Sequence, residues 1–330
     1  MVSFPQEARS LRPAMKGEND MVARASRKNT PLRQKLTPYM FLMPHLLLFA
    51  VFFMVPAVVG IFASFTDWQL AKPMVWEGLA NFKTLFTDPN SQYYWQLRWG
   101  LGNTFKFVLI TVPFQIAIPL LLAVALNTKA KGHRFFQSVF YMPALMSIAV
   151  VMLSWNYMFN MSAGFVNQFF GLGKLNWIST VPYNWVAIVS ITVWWVSGTN
   201  MIIYQSALAS IPTELYEAAS VDGANGLQKF LHITLPGMRY PLTYTAIASV
   251  VQQFGIYGQP LMFNDGGPVI SVVNGFDNKS NYVLLMYIFQ LGFGRAGGDP
   301  GMASAMSLIL GAVILAVSVL QFKLMRANAE

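Results

Sequence analysis

The sequence predicts an all-α membrane protein with six transmembrane helices, and three observations predict it. The chain of 330 residues is 55% hydrophobic and only 11% charged. A soluble domain carries about a quarter charged residues, so this chain has too few to clothe its surface for water, and its solvent is lipid. Six apolar segments are each long enough to cross about 30 Å of hydrocarbon, which takes roughly 20 helical residues. The cations fall predominantly on one side of those segments.

In chain order, residues 1–37 are a polar tail. Residues 1–36 hold eight Lys or Arg against three acids. No apolar run starts before Pro38, so the tail does not read as a cleaved secretory signal. It reads as a largely disordered segment whose cluster Arg24, Arg27, Lys28, Arg33 and Lys35 can meet anionic lipid. The transmembrane domain follows over 38–325, with spans near 39–65, 103–127, 136–159, 184–209, 240–262 and 302–324. The apolar run Tyr282 to Phe293 is too short to cross and reads as an interfacial or re-entrant helix. Residues 326–330 form a short C-terminal tail.

Charge sets the orientation. With the N-terminus inside, the inner segments hold fifteen Lys or Arg: the eight of the tail, Lys129, Lys131, Arg134, Lys229, Arg239, Lys323 and Arg326. The outer loops hold six: Lys72, Lys83, Arg98, Lys174, Lys279 and Arg295. That bias follows the positive-inside rule with both termini cytoplasmic. The net charge of +9 is therefore topological and does not point to nucleic acid. Trp95, Trp99, Trp177 and Trp185 cluster at the expected boundaries, where indole rings anchor at the interface.

This topology puts the polar stretch 210–238 in the cytoplasm, between spans four and five. Pro212 suits the start of a helix. Glu214 and Glu217 complement its positive end. Leu215, Ala218 and Ala219 share a face with little bulk. Gly223 stops the helix as a left-handed cap. Asn225 caps a second helix bearing Leu227, Phe230 and Leu231, and Pro236 is expected to end it. Two short helices joined by a tight bend are shaped for a partner to grip, but physics alone favours the plainer reading, a loop helix lying on the membrane surface.

Glu217-Ala218-Ala219, then Gly223, Ile233 and Leu235-Pro236, resemble the EAA loop of binding-protein-dependent ABC importer permeases at the expected spacing. Ser210 to Tyr216, the outer stretch Asn81 to Pro89, Asn103-Thr104 and Gly266-Gly267-Pro268 are similar to the carbohydrate branch, of the larger maltose-transporter permease type. The resemblance covers roughly residues 38–325. It implies the type I importer permease fold, with a cytoplasmic coupling helix held by an ATPase subunit. The coupling residues it implies are Glu217, Ala218, Ala219, Asp222, Gly223, Ile233, Leu235 and Pro236. It also implies a second homologous permease, two ATPase subunits that bind ATP and Mg, an external solute-binding protein and a bacterial inner membrane.

The chain itself carries no catalytic set. There is no cysteine, and His45, His133 and His232 are scattered. A phosphate loop needs GxxxxGK[ST]. Gly171-Leu172-Gly173-Lys174-Leu175 lacks its first glycine and its final Ser or Thr, and reads as a turn. The glycines from Gly292 to Gly301 read as a flexible turn. An ion-coupled carrier places ionisable groups within its spans. Here the span interiors are nearly free of them, with Lys106 and His45 near span ends, which disfavours a stand-alone secondary carrier. The scarcity of charge also disfavours a strongly charged, non-sugar solute. For a sugar, neutral polar and aromatic groups in spans four and five are the candidates: Trp195, Thr199, Asn200, Ser249, Gln252, Gln253 and Tyr257. Ser249 shares a helical face with Gln252 and Gln253 at three and four residues. The plain alternative for each is hydrogen bonding between helices.

Overall fold

The structure is a computed structural model that describes residues 32–69, 72–128, 131–294 and 298–327. Most of the basic tail and the last three residues lie outside the described residues. The chain divides into two compact units, Met1–Gly60 and Ile61–Glu330.

In the first unit, α1 (Leu32–Phe49) runs into a π turn (Ala50–Met54) and then α2 (Val55–Ala63), whose last three residues fall past the unit boundary. The helix therefore begins before the tail was expected to end. The π turn has a covalent cause. Pro56 has no N–H to give the turn before it, and the Val55 N–H reaches back five residues to the Ala50 carbonyl.

The second unit is a helical bundle with two small hairpins. Its elements begin with β1 (Thr66–Asp67), β2 (Val75–Trp76), α3 (Ala80–Thr87) and α4 (Gln92–Asn127). Next come α5 (His133–Tyr141), a 3-10 turn (Met142–Leu145), α6 (Ile148–Met158), α7 (Phe165–Phe169) and α8 (Tyr183–Leu208). The loop helices α9 (Thr213–Val221) and α10 (Gly226–Lys229) precede a second π turn (Phe230–Thr234) and α11 (Leu235–Gly237). The chain closes with α12 (Arg239–Phe254), α13 (Gly258–Asn264), β3 (Val269–Val273), β4 (Phe276–Lys279), α14 (Leu284–Phe293) and α15 (Pro300–Ala327).

The structure is mostly helical, as expected, and differs from expectation in detail. The fold is not purely helical: β1 pairs antiparallel with β2, and β3 with β4. By length and composition four described helices can cross a membrane, at Tyr39–Ala63, Gln92–Asn127, Tyr183–Leu208 and Pro300–Lys323. A fifth crossing arises if the pair His133–Leu145 and Ile148–Met158, bent by 104°, is one span. The segment expected at 240–262 is instead a 16-residue helix that stops at Phe254, followed by α13. α4 starts at Gln92 rather than 103, because hydropathy finds where a helix meets lipid and not where it begins.

The central helices pack on one another through a continuous apolar core. α4 and α8 bury Phe107, Val112, Ile188 and Ile191, and Phe254, Met286 and Met306 close around them. At the N-terminal end of α15, Gly301 lies against the chain after α2. A methyl group there would sit 2.3 Å from the Thr66 carbonyl oxygen, and the Gly301 N–H donates to the Trp68 carbonyl at 3.1 Å. Gly301 is therefore a close-packing residue rather than part of a flexible turn. Gly171 and Gly173, with φ of +64° and +66°, do make the turn expected of them.

Candidate functional site

Two regions carry the candidate residues. The first is the loop between α8 and α12. α9 ends in a Schellman motif: the Ala224 N–H donates to the Ala219 carbonyl at 2.9 Å and the Gly223 N–H to the Ser220 carbonyl at 3.2 Å. Gly223 has φ +75°, and no atom lies within 4 Å of where a Cβ would stand. Backbone conformation, not crowding, demands the glycine. Asn225 and Gln228 form a complete capping box on α10, each side chain taking the other's backbone N–H.

Pro236 does not end the second helix as expected. The chain stays helical through it by the same device as at Pro56: a π turn ends two residues earlier, and the Leu235 N–H reaches the Phe230 carbonyl. The break falls at Met238, with φ −89° and ψ 2°.

The loop is held from beneath and open above. Tyr216 Oη meets Thr234 Oγ1 at 3.0 Å, Lys229 Nζ donates to Ser220 Oγ at 2.7 Å, and Leu235 packs against the apolar cluster that includes Met201, Tyr204 and Met238. Glu217, Ala218, Asp222 and Gly223 are exposed, and Ala219 and Ile233 are half-buried. Leu215 and Leu227 present apolar surface to solvent at 50% and 66% exposure.

The second region is a cavity of about 790 Å³ between α8 and α12. Trp195, Thr199, Asn200 and Gln252 line it together. Trp195 is oriented by its indole N–H, which donates to the Met146 carbonyl at 3.2 Å. Asn200 Nδ2 donates to the Gln115 carbonyl at 3.1 Å, so this residue joins helices as well as facing the cavity. Ser249 and Gln253 are buried and do not line it. A helix turns about 100° per residue, which carries Gln252 to one side of α12 and leaves Ser249 and Gln253 on another. Tyr257 lies beyond the end of α12 and meets Phe289 in a tilted ring pair, 4.8 Å between ring centres. Tyr244, Thr245, Phe322 and Met325 also line the cavity and were not picked out from sequence. For Tyr244 the signal was there, since it stands eight residues before Gln252 on the same helical face.

Motifs that were separate in sequence meet near the N-terminal ends of α4 and α8. Asn103 Nδ2 donates to the carbonyls of Lys279 and Tyr282, both at 3.1 Å, and the Leu284 N–H donates to Thr104 Oγ1. Gly266 and Gly267 adopt φ of +81° and +79°. A methyl group on Gly267 would stand 2.4 Å from Ser280 Oγ. Asn184 Nδ2 reaches the same Ser280 Oγ at 2.6 Å. Segment 279–284 is thereby tied to α4 and α8.

The profile of the binding-protein-dependent transport system inner membrane component matches residues 115–328, which include both regions. The chain belongs to this family. The permease is 30% identical to the arabinooligosaccharides transport system permease protein AraP of Bacillus subtilis, over 88% of this chain and 89% of that one. It is 32% identical to the multiple sugar-binding transport system permease protein MsmF of Streptococcus mutans, over 86% and 93%. It shares its fold with a chain of a bacterial ABC transporter that imports the acidic polysaccharide alginate, with a TM-score of 0.76, 23% identity, and 91% and 98% of the chains covered. Family membership decides for a permease of a multi-component transport system over a stand-alone carrier. It also identifies the chain as the membrane component of such a system.

Proposed function

We propose that this permease carries a sugar or oligosaccharide inward across a bacterial cytoplasmic membrane, in six crossings with both termini inside. The observation that carries the reading is the cavity between α8 and α12. It sets the aromatic face of Trp195 beside the neutral hydrogen-bonding groups of Thr199, Asn200 and Gln252, the pairing that a polyol needs. Names of the relatives AraP and MsmF support the same solute class. In this reading α6 with its bent partner forms one crossing, and α12 with the short α13 another.

The loop from Ser210 to Met238 couples the cavity to ATP hydrolysis in a separate subunit. Two ATPase subunits, with their bound ATP and Mg, grip α9 of this chain and its counterpart in a second, homologous permease. Glu217 meets the ATPase surface, Ala218 and Ala219 permit close backbone approach, and Gly223 fixes the bend. Asp222 lies at the bend, and Ile233, Leu235 and Pro236 join it to α12. α12 then transmits the movement directly, because it both follows this loop and walls the cavity. An external binding protein delivers the solute.

Uptake of labelled oligosaccharide into vesicles holding the whole transporter tests this. Uptake is expected to require ATP inside and the binding protein outside, and to fall with Glu217→Ala at unchanged assembly. Uptake without ATP or binding protein would return the chain to the carrier class.

A further inference from the structure

A second and larger cavity has walls of the opposite character. It is an open groove of about 1110 Å³ between α4, α8 and the segment from α5 to Met146. On α4 it follows an i±4 ridge through Ile110, Phe114, Ile118 and Leu122. On α8 it is walled by Val189 and Val193. Ser190 and Ser197 are the only hydroxyl side chains lining it, and both are spent on carbonyls of their own helix, Ala187 and Val193. Apart from the indole N–H groups of Trp185 and Trp194, the groove offers a polyol no uncommitted hydrogen-bonding side chain, and solute passage is assigned to the other, more polar cavity.

One turn before Ile110, the same ridge carries Lys106, which is exposed. Its Nζ stands 5.0 Å from the centre of the Trp185 ring, and Trp185 itself lines the groove. No carboxylate lies within ion-pair distance of Lys106 among the described residues. From Ile110 to Leu122 the ridge runs about 18 Å along the helix. One leaflet of hydrocarbon is about 15 Å deep.

We propose that this groove is a binding site for an anionic phospholipid. An acyl chain lies along the ridge from Ile110 to Leu122, and the phosphate sits at Lys106 beside the rim ring of Trp185. Charge complementarity selects the occupant: an apolar trough as long as a leaflet, with a cation at its mouth that has no carboxylate partner among the described residues, matches an anionic headgroup on an acyl chain. The assignment to the outer leaflet rests on the proposed orientation; the groove and its cation do not.

The test is native mass spectrometry of the whole transporter, extracted in mild detergent with its partner subunits, counting retained phospholipids. Wild type and Lys83→Gln, which removes an exposed cation on α3, are expected to hold an anionic phospholipid. Lys106→Gln is expected to hold about fivefold less. Ile118→Trp, which fills the trough, is expected to lose it whatever the headgroup. Equal retention by Lys106→Gln and Lys83→Gln, or no lipid on wild type, overturns the proposal. So does a structure of the assembly with a partner's helix in the groove. The readout is lipid retention rather than uptake, so this site and the transport reading can fail separately.

Discussion

Asn200 Nδ2 donates to the Gln115 carbonyl at 3.1 Å, and that carbonyl is the one Pro119 leaves without a helical donor. In an α-helix the N–H four residues on takes each carbonyl, and proline has none to give. A side chain from α8 thus repairs a backbone defect in α4, inside the bundle, where Asn200 is only 8% exposed. Asn200→Ala is expected to destabilise by about 1–3 kcal/mol, the penalty for a buried acceptor left unmet. In a Pro119→Ala background the helix supplies its own donor, so the penalty should shrink. Thermal unfolding of the four proteins of this cycle in detergent measures it. An equal penalty in both backgrounds would show that Asn200 matters for some other contact.

Gly223 makes a conformational demand without a steric one. Its φ is +75° with nothing near a would-be Cβ, so Gly223→Ala should cost about 1–2 kcal/mol through backbone strain alone. Some ATP-driven uptake should survive. Gly223→Pro also removes the N–H bonded to the Ser220 carbonyl and fixes φ near −65°. Uptake should then vanish while the chain still assembles with its partners. Full uptake by the proline variant would remove the bend from the coupling mechanism.

Two glycines on α15 should behave oppositely. Gly301→Ala drives a methyl group to 2.3 Å from the Thr66 carbonyl oxygen, whereas nothing lies within 4 Å at Gly311. Overpacking of a close backbone contact costs about 1–3 kcal/mol. Gly311→Ala should instead be neutral or stabilising by about 0.5–1 kcal/mol, because alanine is the better helix former. Melting temperatures of the two purified variants decide it, and matching shifts would contradict the packing assigned to Gly301.

What could be read in advance was local. The Gly223 cap and the Asn225 cap were legible because each depends on residues within one turn. The long spans were legible because lipid thickness sets their length. The π turns were not, although Pro56 and Pro236 marked where the ladder had to change. Pro119 announced an orphan carbonyl, but only the packed bundle identifies Asn200 as its donor. The division of Ser249 and Gln253 from Gln252 was likewise hidden. α12 is buried on more than one side, and sequence spacing cannot tell a wall of the cavity from a seam between helices.

That division yields the sharpest test of the cavity. Gln252 lines it and Ser249 does not, although they are three residues apart. Tyr244 is 63% exposed and lines it too, offering a second aromatic ring to a sugar besides Trp195. Equilibrium binding of oligosaccharide to the purified transporter, freed of its binding protein, separates the groups. Loss of one hydrogen bond at Gln252→Ala should weaken binding about fivefold, the effect of about 1 kcal/mol. Tyr244→Ala should weaken it comparably or more by removing a stacking face. Ser249→Ala should leave affinity unchanged and alter only thermal stability, since its side chain is 3% exposed and outside the cavity lining. If Ser249→Ala weakened binding as much as Gln252→Ala, the solute would have to sit in the seam behind α12 rather than in the cavity before it.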